Sequence, residues 1–93
     1  MAADNKLYWT GDYAVAHFGT PDNPTQRPLF LIAEGKGEPH KFTNNLERAA
    51  RYPTRTFAEM AKNEENFYLE QANHPLNGRL SVVAIYVMKE PMQ

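Results

Sequence analysis

Leu80-Ser81-Val82-Val83-Ala84-Ile85-Tyr86-Val87-Met88 is the stretch that decides the fold. It is almost wholly apolar, rich in β-branched residues, and bracketed by Arg79 and Lys89. β-Branched side chains suit a pleated, extended backbone, and alternate side chains of a strand point to opposite faces. One face then carries Leu80, Val82, Ala84, Tyr86 and Met88, and the other Ser81, Val83, Ile85 and Val87. Both faces need cover. The run is therefore expected as a central strand, with its second face left as a contact surface.

Working back from this strand, Asn73-His74-Pro75 and Asn77-Gly78 are turn chemistry. Before them a principal helix is expected over about 55–68. Thr54 and Thr56 compete as its N-cap, and Thr56 with Glu59 makes the better capping box. Phe57, Met60, Ala61 and Tyr68 fall near one face at helical spacing, with Glu59, Lys62, Asn63 and Glu65 outside, and fraying is expected from Asn66 to Ala72. Pro53 disfavours helix at Tyr52, so a short turn that buries Leu46, Ala49 and Ala50 should stop near Arg51. Asn44 with Glu47 resembles a cap for that turn.

Nearer the N-terminus, Leu7-Tyr8-Trp9 is an apolar segment interrupted by Gly11-Asp12, a turn or bulge signal. Tyr13 to Phe18 and Leu29 to Ala33 read as strands. Gly19 to Pro28, with three prolines, reads as a long loop. Gly35-Lys36-Gly37 reads as a turning tip; it lacks the spacing of a phosphate loop. The order gives an α+β fold: an antiparallel sheet of three to four strands with one principal helix packed on one face. A chain of 93 residues is expected to be a single domain spanning 1–93.

A net charge of −1 removes any bulk electrostatic case for coating DNA or for mimicking it. There are no cysteines, so disulfides, thiol nucleophiles and thiolate metal sites are excluded together. No signal-peptide pattern and no membrane-length apolar run is seen, which makes a cytoplasmic protein with no membrane partner the expectation.

His17, His40 and His74 are too far apart in sequence for a helical metal pair and read as surface or edge residues. Ser81, the one serine, lacks a nucleophile elbow. Glu34 with Glu38, and Glu64 with Glu65, are carboxylate pairs that read as solvated. No catalytic residue, metal site or cofactor is expected, and the chain is read as a non-enzyme.

Lys41, Arg48, Arg51 and Arg55 form the one basic cluster, with Tyr52 among them. Guanidinium groups grip phosphates or acidic partners, and an aromatic beside them can stack on a base. Tyr8, Trp9, Tyr13, Phe67 and Tyr68 exceed what one small core takes up, and Trp, Tyr and Arg dominate protein–protein hot spots. The expected partner-binding set is Lys41, Arg48, Arg51, Tyr52, Arg55, Tyr8 and Trp9.

The stretch from Lys41 to Ala58 holds the pattern Ala49-x-x-Tyr52-x-Thr54-x-x-x-Ala58. It resembles a recurring arrangement in small bacteriophage and prophage accessory proteins of the α+β type. There a hairpin with a polar loop precedes an Ala-x-x-aromatic-x-Thr step and a helix. The arrangement usually has an acidic third helical residue, where this chain has Phe57. The resemblance implies a modulator or inhibitor of a host protein, including defence proteins, that acts by binding; it carries over no functional residues. The expected function is thus a non-catalytic interaction protein, a homodimer with a protein partner. The alternative is a small nucleic-acid or nucleotide-binding module using Lys41, Arg48, Arg51 and Arg55.

Overall fold

The computed structural model describes residues 6–32 and 42–89. The Gly35–Gly37 tip, Glu34, Glu38, His40 and Lys41 lie outside them. The elements run β1 (Lys6–Gly19), β2 (Pro24–Leu31), β3 (Phe42–Thr43), a short 3-10 turn (Leu46–Arg48), α1 (Arg55–Gln71) and β4 (Ser81–Lys89). The four strands form one antiparallel sheet in the order β3-β2-β1-β4. The architecture is α+β.

β4 lies at the edge, which corrects its expected central place. The β1–β2 hairpin occupies one side of β1, so β4 finds only the other side open. The register pairs Val15 with Val82, Ala14 with Val83 and Ala16 with Ser81. Val15, Leu31, Leu69 and Leu80 form the buried cluster, with Phe42, Tyr52, Ala61 and Leu76 packed against it.

The hairpin explains why Gly19 to Pro28 is not a loop. Thr20 and Asn23 exchange backbone hydrogen bonds of 3.1 and 3.2 Å, and the Thr20 hydroxyl also accepts from the Asn23 N–H at 3.1 Å. β2 starts directly after this turn. Among the described residues β3 pairs only with Phe30 and Leu31, so the missing N–H groups of Pro24 and Pro28 break no ladder on that side.

Residues 49–52 wedge between the diverging ends of β1 and β2. The Ala50 N–H donates to the Leu31 carbonyl at 2.8 Å, while Tyr13 and Tyr52 exchange bonds of 2.8 and 2.9 Å. The chain reaches the wedge by crossing beneath the sheet, on the face away from α1. There Leu46 lies over Phe30, Val83 and Ile85. The preceding turn is capped by Asn45 rather than Asn44: its Oδ1 accepts from the Glu47 N–H at 3.0 Å. The turn ends at Arg48, short of Arg51.

α1 is capped by Thr54, whose hydroxyl accepts from the Phe57 N–H at 3.1 Å; Thr56 lies inside the helix. α1 runs to Gln71, beyond the expected fraying point. It stops where Asn73 takes a φ of 51° and the His74 N–H returns to the Leu69 carbonyl at 2.8 Å. Its inward face also differs from expectation. Ala58, Glu65 and Leu69 are buried, whereas Phe57, Met60 and Tyr68 are exposed. The sheet beneath already presents Tyr13, Val15, Leu31 and Leu80, so small residues such as Ala58 and Ala61 make the close approach.

Gly19 has a φ of 85°, and a Cβ there would strike the Asn23 carbonyl oxygen and lie 2.8 Å from the Thr25 nitrogen. Gly11 has a φ of 88° but open space around it. Gly19→Ala should therefore cost about 2–3 kcal/mol of stability, and Gly11→Ala only about 1 kcal/mol. Urea unfolding of the two variants checks this; equal losses would contradict the steric difference.

Candidate functional site

β1 and β4 extend past the rest of the sheet as a two-stranded ribbon, within a body 53 Å in its longest dimension. Lys6 to Trp9 pair with Tyr86 to Lys89, and the register shifts between Trp9 and Tyr13. Gly11-Asp12 thus marks a bulge, as its sequence suggests. Thr10 fixes it: its hydroxyl donates to the Ile85 carbonyl at 2.8 Å and accepts from the Asp12 N–H at 3.2 Å. The Trp9 indole N–H donates to the Asp12 carbonyl at 3.3 Å.

Trp9 lies opposite Tyr86, and Leu7 opposite Met88. By alternation these four share the face on which α1 sits, but α1 begins only at Arg55, beside Tyr13. The ribbon's apolar side chains therefore extend past the helix. Leu7 is 65% exposed, Trp9 51%, Tyr86 53% and Met88 63%. Tyr8, on the opposite face, is also exposed. A single two-stranded ribbon is at best marginal in water, and large aromatic surfaces of this kind are those that dominate protein interfaces.

The ribbon meets the basic cluster at the bulge. Trp9 packs edge-on against Tyr13, with ring centroids 5.6 Å apart, and the Arg55 guanidinium lies 5.9 Å from the Tyr13 ring centre. Arg51 pairs with Asp12 of the bulge at 3.6 Å. The structure thus joins Trp9, Arg51 and Arg55, which the sequence presented as two separate sets. Arg48 is exposed on the 3-10 turn. Tyr52 is half-buried against the core cluster; burial, and after it Glu65 and Glu64, pushes its hydroxyl above the usual tyrosine range.

Much of the cluster's charge is answered locally. Arg55 pairs with Glu59 at 3.6 Å, and Lys62 pairs with the same carboxylate at 2.9 Å. The Lys62 hydrogen bond is the main cause holding Glu59 below the ordinary carboxylate range. Exposed pairs of this kind add little stability, but they lower the positive potential available to a phosphate.

His17 is buried, not a surface histidine. Its Nδ1 accepts from the Gly19 N–H at 3.0 Å, and its ring stands edge-on to Phe42 at 4.5 Å. Burial, then repulsion from His74, lowers its pKa. His74 has the expected turn role, accepting from the Leu76 N–H at 3.1 Å. Among the described residues no group of three or more His, Asp or Glu side chains is placed to hold a metal ion. No helix among them is long and apolar enough to cross a membrane.

Sequence reasoning did not single out Leu7, Tyr86 and Met88 as site residues. The signal was present in the two alternating runs, but it needed the register between them. It also placed Glu65 outside, whereas Glu65 is 3% exposed. Glu65 borders a cavity of about 340 Å³ between α1, the end of β2 and the 49–52 wedge, together with Leu31, Tyr52 and Ala61. Only its spacing from Ala58 and Leu69 could have revealed this. The chain matches no protein-family model, no curated protein and no solved structure.

Burial, with Glu64 adding repulsion, raises the Glu65 pKa from its ordinary 4.5 to about 7. Between those values the folded state holds a proton that the unfolded state releases. Stability therefore falls as pH rises through this window and levels off above it. Glu65→Gln should remove that slope and stabilise the protein at pH 8 by about 1–3 kcal/mol. Urea midpoints at pH 5 and pH 8 for both proteins check the sign.

Proposed function

We propose that this chain is a non-catalytic interaction protein that acts by binding a protein partner through the β1–β4 ribbon. One observation carries the reading: Leu7, Tyr8, Trp9, Tyr86 and Met88 are large, apolar and largely exposed on one projecting element. With about 150–250 Å² in each large aromatic side chain, the half-exposed Leu7, Trp9, Tyr86 and Met88 on one face offer roughly 400 Å² of apolar surface. Patches of this size are often functional. Arg51 and Arg55 at the base of the ribbon add a polar rim, as interfaces commonly have. A small accessory protein that occupies a host protein's surface fits this arrangement.

The nucleic-acid reading is weaker, because Arg51 faces Asp12 and Arg55 faces Glu59. The two readings part cleanly in a capture experiment with the immobilised chain and a lysate of its own source. Trp9→Ser with Tyr86→Ser should reduce the captured protein about 30-fold, the loss expected of a hot spot. Arg48→Glu with Arg51→Glu should leave most of it. The reverse pattern, or capture abolished by nuclease, would move the contact to the basic cluster.

A further inference from the structure

We propose that the open edge of β4 pairs with β4 of a second copy of this chain, antiparallel and centred on Ile85. This goes beyond the ribbon reading, since it concerns the backbone edge of the strand and not the faces of the ribbon.

β4 is nine residues long, and among the described residues β1 is its sole neighbour in the sheet. Among the described residues, no backbone hydrogen bond from a turn or loop reaches it. Natural edge strands are usually guarded by proline, by a bulge of their own, by inward charges or by brevity. Ser81-Val82-Val83-Ala84-Ile85-Tyr86-Val87-Met88-Lys89 has none of these guards, and its one ionisable position under neutral conditions is the last. The register shift of the β1–β4 pair comes from extra residues in β1, so β4 itself continues unbroken.

The strand is also complementary to itself. Centring on Ile85 sets Val82 against the partner's Met88, Val83 against the partner's Val87, and Ala84 against the partner's Tyr86. Even-numbered positions then meet even-numbered ones, so the helix-bearing faces of both sheets stay on one side. The exposed Tyr86 and Met88 gain apolar neighbours, and the two copies of Lys89 end up at opposite ends. A two-fold axis through Ile85 makes the contact isologous and closed.

A nine-residue strand is about 30 Å long, but Tyr86–Lys89 lie in the ribbon past α1, so the edge presents at most roughly 500 Å² per copy. Stable interfaces begin near 600 Å² per partner, so the pairing is a weak one, formed at micromolar concentrations. The product is a continuous eight-stranded sheet with β4 of each copy at its middle.

Sedimentation equilibrium of the full chain, at about 10–100 µM protein, tests the proposal and should find a dimer. Val83→Lys with Val87→Lys places like charges opposite one another twice and should weaken the dimer about tenfold. Val83→Glu with Val87→Lys burdens the same two positions but makes them complementary across the axis, so it should stay within about threefold of the parent. A nitroxide on Ser81→Cys, in a chain otherwise without cysteine, should report a separation of about 27 Å between copies; this holds even if the charged variants do not fold. A monomer throughout this range overturns the proposal, as does a dimer with equal response to both charge pairs or a very different label distance. A monomer that still captures a protein through Trp9 and Tyr86 would overturn the edge pairing alone. A dimer that captures nothing would overturn the ribbon reading alone.

Discussion

Both edges of β1 must be hydrogen-bonded along its inner half, from Tyr13 onward, and the other elements are arranged around that demand. β2 satisfies one edge near Ala16 and His17, the wedge at Tyr52 takes over at Tyr13, and β4 runs along the other edge from Lys6 to Ala16. Ala14, Val15 and Ala16, at the centre of the strand, are fully buried. Ala14 and Ala16 share the face away from α1, where their small side chains let the crossing chain pack closely. The short turn that carries Leu46 beneath the sheet exists because the chain must cross from β3 to the gap beside β1.

Much of this was legible in the sequence, and the failures share one cause. The apolar run of β4, the bulge at Gly11-Asp12 and the turn role of His74 depend on local chemistry and were readable. The place of β4 in the sheet depends on which side of β1 the hairpin takes, a fact about residues far away. Pro24 and Pro28 read as loop residues by their turn chemistry; β3 is too short to require their missing N–H groups. Thr54 and Thr56 are equivalent as local caps, and only the docked position of α1 chooses between them.

The helix face shows the same limit more sharply. Hydrophobicity placed Phe57, Met60 and Tyr68 inward beside Ala61, but against a sheet lined by Tyr13 and Val15 only Ala61 of these packs on the core, and Ala58 and Leu69 take the buried places. Packing volume outweighed hydrophobicity. For the candidate site, Tyr8 and Trp9 were visible as surplus aromatics, while Tyr86 and Met88 belonged to a strand of which one face was expected as a contact surface without the sequence choosing which. The basic cluster was visible as a list of cations. The pairing of Arg51 with Asp12 required the fold.

The bond between the Thr10 hydroxyl and the Ile85 carbonyl spans 75 positions of sequence. Closing so large a loop has an entropic cost that local contacts cannot offset in advance. The β1–β2 hairpin, closed by four residues, can form early, whereas β1 must hold its second edge open until β4 arrives. Chains dominated by such distant pairings fold on the slow side, in milliseconds to seconds. During that interval the same apolar strand that completes the sheet is exposed to any other unpaired strand nearby. Crowded synthesis would therefore tax this chain more than its modest length suggests.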